Sequence, residues 1–339
     1  ARLEAISKGR SISLLTKNDY LSPAVLEEFR RQFGFSVKSV YYESDAELSD
    51  LLQREEAFDV VIANGTELQN LIKAGLLSQN TQFLTNGMRM VEGFLRKLPF
   101  DPNWNFSVPF AWTSFGTGYN TDFQTEPPAS WRDLLEPDAI ANDLKGKIAM
   151  FDIGRYVIGS ALIYQGHSPN STNRAEIDEA TALLLRQRPL VREYNETNSR
   201  ADLSGAQAFL DQSIGSDISI ANTLNRRIRF ALPKEGTMVM VTFLAVPKTS
   251  TRQNIAGEFI RFLLRPDVSG KNVNYSHRAS ALAAALPFVE REIRNGPAYS
   301  YPTETSKLFY VETLPAEWSA YYDQCWGKIL RGEIKQTTL

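Results

Sequence analysis

Apolar and polar positions alternate over Ser11-Ile12-Ser13-Leu14-Leu15, the two-residue period of a strand. Ser22-Pro23 then opens a helical pattern with Val25, Leu26 and Phe29 on one face. Ser22 suits the cap and Pro23 the first turn. Phe35 to Tyr42 predicts a second strand and Ala46 to Arg54 a second helix. Phe58-Asp59-Val60-Val61-Ile62-Ala63 is nearly continuous in apolar residues, as expected of a strand covered on both faces. Leu68 to Ala74 follows as a helix ended by Gly75. This alternation of strand and helix predicts an α/β fold with a parallel sheet.

A second unit of the same kind begins after Val108-Pro109-Phe110. Thr117-Gly118-Tyr119-Asn120 is expected as a strand leaving the first lobe, and Ser130 to Leu135 as a short helix. Lys147 to Phe151 predicts a buried strand, and Ile177 to Arg186 a helix with strong apolar periodicity. Ile218-Ser219-Ile220-Ala221 is expected as another strand. Thr242 to Pro247 predicts a strand, followed by an amphipathic helix from Ile255 to Leu264 that Arg265-Pro266 stops. A chain of 339 residues suits two lobes. With no repeats and no low-complexity linker, the lobes are expected to be joined by short crossing strands.

Composition narrows the function. Hydrophobic residues make up 43% and charged residues 22%, ordinary for a soluble globular protein. The net charge is -2, from 37 basic and 39 acidic residues, so no one-sided field draws nucleic acid or an acidic membrane. Arg226-Arg227-Ile228-Arg229 reads as a strand-edge or surface cluster. A single cysteine, Cys325, excludes an intrachain disulfide, and two histidines, His167 and His277, leave no Cys/His metal cluster. No run of about 20 apolar residues predicts a membrane span. Dinucleotide, phosphate-loop, zinc-protease and nucleophile-elbow motifs are absent, and His167 lies in a turn-like stretch. No cofactor is expected. An enzyme on a two-lobed fold stays open as the competing class, but it needs a nucleophile–base pair or a cofactor site that the sequence does not supply.

Several segments together resemble the spermidine/putrescine-binding family of bacterial ABC importers. Lys17-Asn18-Asp19-Tyr20-Leu21-Ser22-Pro23 is similar to the family's W-T-E-Y-x-P-P, Glu43-Ser44-Asp45-Ala46 to its Y-E-S-N-E, and Phe58-Asp59-Val60-Val61 to its Y-D-L-V-V. Leu98 to Asn103 is similar to K-P-F-D-P-N and Ser107 to Trp112 to S-I-P-Y-I-W. Pro233-Lys234-Glu235-Gly236 and Phe262 to Val268 add two matches that are specific in combination, so the resemblance runs from about residue 11 to about 330. It implies a periplasmic-binding-protein fold of two α/β lobes with a ligand cleft between them. The implied lobes are residues 1–115 with 242–286, and 116–241 with 287–339. It further implies a periplasmic mature chain whose signal peptide has been removed, a membrane permease as partner, and a monomer. A sensor that presents its closed form to a receptor would share the same binding chemistry.

The resemblance also implies a site, and the site departs from the family pattern. The family holds ammonium groups with acids and methylenes with aromatics. Its first-loop Trp becomes Lys17, while its Glu and Tyr persist in kind as Asp19 and Tyr20. Its second-lobe Asp and Glu fall on Ile153 and Tyr156, beside Arg155, and a strand-end Trp falls on Ala221, beside Asn222. A later Trp and Asp fall on Met240 and Thr242, a late Tyr on His277 and a late Gln on Glu312. Three acids are lost and at least one cation is gained, which disfavours a polyamine and favours an amine-bearing acid. Lys17 is expected to hold an anionic group and Asp19 or Glu312 a cationic one. Asn18, Asn64, Gly65, Thr66, Asn222 and Thr242 complete the expected set, several of them suited to sugar hydroxyls. An opine-like conjugate of sugar and amino acid is the expected ligand, with a polyamine as the alternative. Lys17 and Arg155 read equally well as solvated loop cations. Trp112 and Met240 read more readily as packing, and His277 as a cap.

The implied mechanism is closure of two lobes about crossings near Phe115–Asn120 and Met240–Val241. Small-angle scattering is expected to show a smaller radius of gyration at saturating ligand. An unchanged radius removes the hinge.

Overall fold

A computed structural model describes residues 10–54, 58–79, 90–138, 144–195, 199–302, 304 and 307–333. The chain divides into two compact units. Unit 1 holds Ala1–Trp112 and Val241–Arg294; unit 2 holds Thr113–Met240 and Asn295–Leu339. Elements are numbered in chain order.

Unit 1 begins as a βα ladder: β1 (Ser11–Thr16), α1 (Pro23–Phe33), β2 (Ser36–Tyr41), α2 (Asp45–Gln53), β3 (Val60–Asn64) and α3 (Gly65–Lys73). β1 pairs in parallel with β2 on one side and β3 on the other. β4 (Ser107–Asn120) starts in unit 1 and ends in unit 2. α4 (Arg132–Leu135), β5 (Ile148–Met150), α5 (Gly154–Tyr164), α6 (Arg174–Gln187), β6 (Val191–Tyr194), α7 (Ser199–Ser204), β7 (Leu210–Ile214), α8 (Gly215–Leu224) and β8 (Ile228–Ala231) follow in unit 2. β9 (Thr237–Ala245) carries the chain back, and α9 (Gln253–Leu263), α10 (Pro266–Ser276), β10 (Ala279–Ser280) and α11 (Arg291–Arg294) complete unit 1. β11 (Leu308–Phe309) and α12 (Ala316–Arg331) complete unit 2.

In unit 1, β9 joins the ladder antiparallel to β3, with Asn64 opposite Thr242, and β10 pairs with β4 at Trp112. β3 is buried at all five positions, which explains its unbroken apolar run. α1 lays Val25 and Phe29 on the sheet. The Phe29 ring meets Phe33, Phe259 and Phe262 at centroid distances of 4.8, 4.8 and 5.3 Å, so α1 and α9 share one aromatic cluster. In unit 2, β4 lies between β7 and β8, and β5 lies between β7 and β6. Its core packs Trp131, Ile148, Ile158, Leu162, Leu183 and Leu184 against Tyr322, Cys325 and Ile329 of α12.

One expected strand is a helix. Ile218 to Ala221 lies inside α8, and the strand of that region is the preceding segment, β7. Ile218 and Ala221 are both fully buried, in a small cluster with Leu203 and Ile228. A short apolar run reads as strand or as buried helix by pattern alone, and here packing on α7 and β8 selects the helix. Two helices of the first ladder also begin earlier than their apolar residues suggest, at Asp45 and Gly65.

Phe29→Ala is expected to cost about 3–5 kcal/mol, the usual range for emptying a buried phenylalanine site. A fall in the urea midpoint of the transition reported by unit 1 checks this. A loss below about 1 kcal/mol would show that the cluster collapses to fill the space.

Candidate functional site

In open α/β sheets, ligands meet the carboxyl ends of the strands. In unit 1 those ends carry the loop after β1, the start of α3 and the Thr242 region of β9. The loop is fixed by Asn272 of α10, whose Nδ2 donates to the Tyr20 carbonyl at 3.0 Å while its Oδ1 accepts from Ser22 N at 2.9 Å. Tyr20 is buried, and its hydroxyl donates to Asn64 Oδ1 at 3.3 Å. Thr242 Oγ1 reaches the same oxygen at 3.4 Å. The structure thus joins Tyr20, Asn64 and Thr242 in one network. Asn18 is exposed in the turn, and Asp19 beside it adopts a left-handed φ of 60°. The Asp19 carboxylate accepts from Tyr275 Oη at 3.3 Å. Thr66 is half-buried at the start of α3. Gly65 is needed for packing: a Cβ there would lie 2.4 Å from the Phe100 ring.

Lys17 is not a free cation. Its Nζ lies 2.9 Å from Oε1 of Glu67, a carboxylate only 3% exposed, and 5.3 Å from the centroid of the Tyr42 ring. Glu67 Oε2 accepts from Asn64 N at 2.6 Å, the return half of a capping box at the start of α3, and from Tyr42 Oη at 2.8 Å. Burial lowers the Lys17 pKa, but Glu67 and, further off, Tyr20 and Asp45 lift it net above its ordinary value. The anion beside Lys17 in this structure is supplied by the chain itself. The Asn64-x-x-Glu67 spacing is the sequence feature that marks this carboxylate.

In unit 2 the start of α5 carries Ile153, Arg155 and Tyr156. Arg155 is likewise engaged within its own unit. It donates to the Pro169 carbonyl at 3.3 Å, Asn170 Oδ1 at 3.1 Å and the Glu312 carbonyl at 3.3 Å, and it lies 4.3 Å from the Tyr322 ring centroid. Burial lowers its pKa against the opposing pull of Tyr322. A guanidinium keeps its charge regardless, so Arg155 acts as an internal clamp on three segments. The Glu312 side chain accepts from Asn170 Nδ2 at 3.3 Å. Tyr156 stacks on Phe115 with centroids 4.4 Å apart, and Met240 and Ile153 are partly buried against the same core. Asn222 lies within a helix rather than at the expected strand end. Inside α8 it donates to the Ile228 carbonyl at 2.7 Å and accepts from Arg226 at 3.2 Å, so it ties helix to strand. His277 caps α10 in a left-handed conformation, φ 54°. Trp112 is a core residue whose Nε1 donates to the Ser280 carbonyl at 3.2 Å. The exposed carboxylate of Asp152, directly after β5, was not singled out in the sequence, although it follows a buried strand just as Asp19 follows β1.

Asp45, at the first position of α2, stands beside the Glu67 carboxylate. Desolvation and the like charge of Glu67 push its pKa up to about 6, although Lys17 pulls the other way. In the unfolded chain the same carboxyl titrates near its ordinary value of 3.8. Between those values the folded state binds more protons, so stability falls as pH rises through the window. Asp45→Asn is expected to raise the melting temperature relative to wild type at pH 7.5 and to leave it unchanged at pH 4. Scanning fluorimetry at the two pH values checks the difference, and an equal shift at both removes the raised pKa.

Among the described residues no group of His, Cys, Asp and Glu is arranged to hold a metal ion, and no helix is long and apolar enough to cross a membrane. Comparison with known proteins gives consistent relatives. The chain is 27% identical over 333 residues to the putrescine-binding periplasmic protein SpuD of Pseudomonas aeruginosa, covering 93% of this chain and 90% of that one. It is 27% identical over 318 residues to the spermidine/putrescine-binding periplasmic protein of Escherichia coli, again covering 93% and 90%. Among solved structures, the spermidine/putrescine substrate-binding protein PotD of Streptococcus pneumoniae superposes with a TM-score of 0.86 at 21% identity, covering 96% of this chain and 99% of that one. These relatives are transport proteins, and the superposition establishes the periplasmic-binding-protein fold. The family model for the bacterial extracellular solute-binding protein matches residues 24–299, and the chain belongs to that family.

Proposed function

We propose that this chain captures a small amine-bearing solute for an ABC importer, with polyamines the first class to test. The carrying observation is the distribution of charge. Lys17, the cation expected to repel an amine, and Arg155 are both engaged inside their own units. Asp19 and Glu312, the two acids expected to hold one, have only neutral hydrogen-bond donors and no cation within ion-pair distance among the described residues. A buried or half-buried ammonium needs such a partner. The relatives named for putrescine and spermidine support the same class. The opine-like reading keeps its amine, while Lys17, the expected holder of its acid group, is paired with Glu67. The acids missing at Ile153, Tyr156 and Thr242 still mark a site unlike a symmetric diamine site, with Tyr156 offering an aromatic face in place of a charge.

Calorimetry with putrescine, spermidine and cadaverine tests the reading. Binding at micromolar affinity or tighter is expected for at least one. Asp19→Asn is expected to weaken it by roughly tenfold or more, the loss of one charge-assisted hydrogen bond. Affinity for neutral or purely anionic solutes with none for amines would overturn the proposal.

A further inference from the structure

The residue after the α10 cap is Arg278. Its backbone N donates to Ser276 Oγ at 3.3 Å, and the next residue, Ala279, pairs with Trp112 in the sheet. The left-handed turn at His277 and this pairing fix Arg278 at both ends. Its guanidinium carbon lies 4.3 Å from the centroid of the Tyr20 ring, within range of a cation–π contact. Tyr20 is itself held by Asn64 and Asn272. The guanidinium is therefore stacked on a rigid platform at the strand ends of unit 1. Its Nη1 is shielded from solvent and has no hydrogen-bond acceptor among the described residues.

That donor is out of place in a folded protein. A buried charged donor without an acceptor carries the full cost of lost hydration. Among the described residues Lys17 is answered by Glu67, Arg155 by three oxygens and Arg192 by Asp202, while Arg188, whose Nε is likewise shielded without an acceptor, still donates through Nη1 to the Val191 carbonyl at 3.5 Å. Arg278 has a ring beside it and, among the described residues, no oxygen accepting from its Nη1. A planar guanidinium stacked in this way presents its N–H groups in a fork that matches a carboxylate. The opposite charge lies close by in sequence, since Asp19 precedes Tyr20 on the same loop.

We propose that Arg278 is the anion-reading residue of unit 1 and that the solute carries a carboxylate beside its amine. This deepens the amine-bearing reading above and rests on it. The ligand class becomes an amino acid with a basic side chain, or a conjugate that keeps the amino-acid end. It also accounts for the lost family acids, because a solute with its own negative charge needs fewer anions from the protein.

Two probe pairs differ by one carboxylate: ornithine against putrescine, and lysine against cadaverine. Glutarate supplies carboxylates without an amine. Each is titrated calorimetrically into wild type, Arg278→Met, which keeps bulk over Tyr20, and Arg278→Lys, which keeps charge without the fork. Circular dichroism confirms that the variants fold. In wild type the amino acid of a pair is expected to bind more tightly than its diamine. Arg278→Met is expected to weaken the amino acid by roughly ten- to a hundredfold and the diamine by less than about twofold, with Arg278→Lys between. If diamines bind and their amino acids do not gain, or if Arg278→Met costs both equally, the anion site is overturned and the amine reading stands. If only glutarate binds and depends on Arg278, the anion site stands and the amine reading falls. Binding by none of the probes overturns both.

Discussion

Unit 1 depends on placing one carboxylate where water cannot reach it. Glu67 is almost fully buried, and an ionised group in that position is tolerable only when donors surround it. Lys17, Tyr42 and the Asn64 backbone supply them, from three separate stretches of sequence. That requirement sets the conformation of the loop after β1 and the first turn of α3 together. Neither can shift without uncovering the charge. Asp19, Tyr20 and Asn64, the groups proposed to meet the ligand, sit on these two segments, so their positions follow from a demand that has nothing to do with ligand.

Unit 2 solves a similar problem with the opposite sign. Arg155 is half-buried at the start of α5 and is satisfied by neutral oxygens and the Tyr322 ring rather than by a carboxylate. The Glu312 side chain remains available because Arg155 takes that residue's carbonyl and not its acid. In both units, then, the charge that a linear reading assigns to the ligand is absorbed by the fold. The groups left over carry the functional reading.

The ladder of unit 1 was legible because its strands and helices differ in period and are punctuated by Pro23 and Gly75. The return through β9 was legible from its apolar run, and the family resemblance from motifs dispersed along the whole chain. Ile218 to Ala221 was not, since a helix buried on several sides loses the amphipathic pattern that separates it from a strand. The site was harder. The partner of Lys17 lies fifty positions along the chain, and no local pattern reports that two loops converge. Arg278 was missed for a different reason. A one-residue choice at the end of α10 decides whether His277 or its neighbour meets Tyr20, and only the backbone turn makes that choice.

The path of the chain bears on how the protein comes to be made. β3 takes β9 as its neighbour, through residues 178 apart at Asn64 and Thr242. While the first ladder is already outside the ribosome, one flank of its sheet has no partner, and that open edge can pair with another chain. Unit 2 likewise waits for α12, which contributes Tyr322, Cys325 and Ile329 to its core. Neither half can finish before nearly all of the polypeptide has emerged, so the nascent protein stays loose and in need of protection for most of its synthesis. Contacts this distant also make for slow folding once the chain is released.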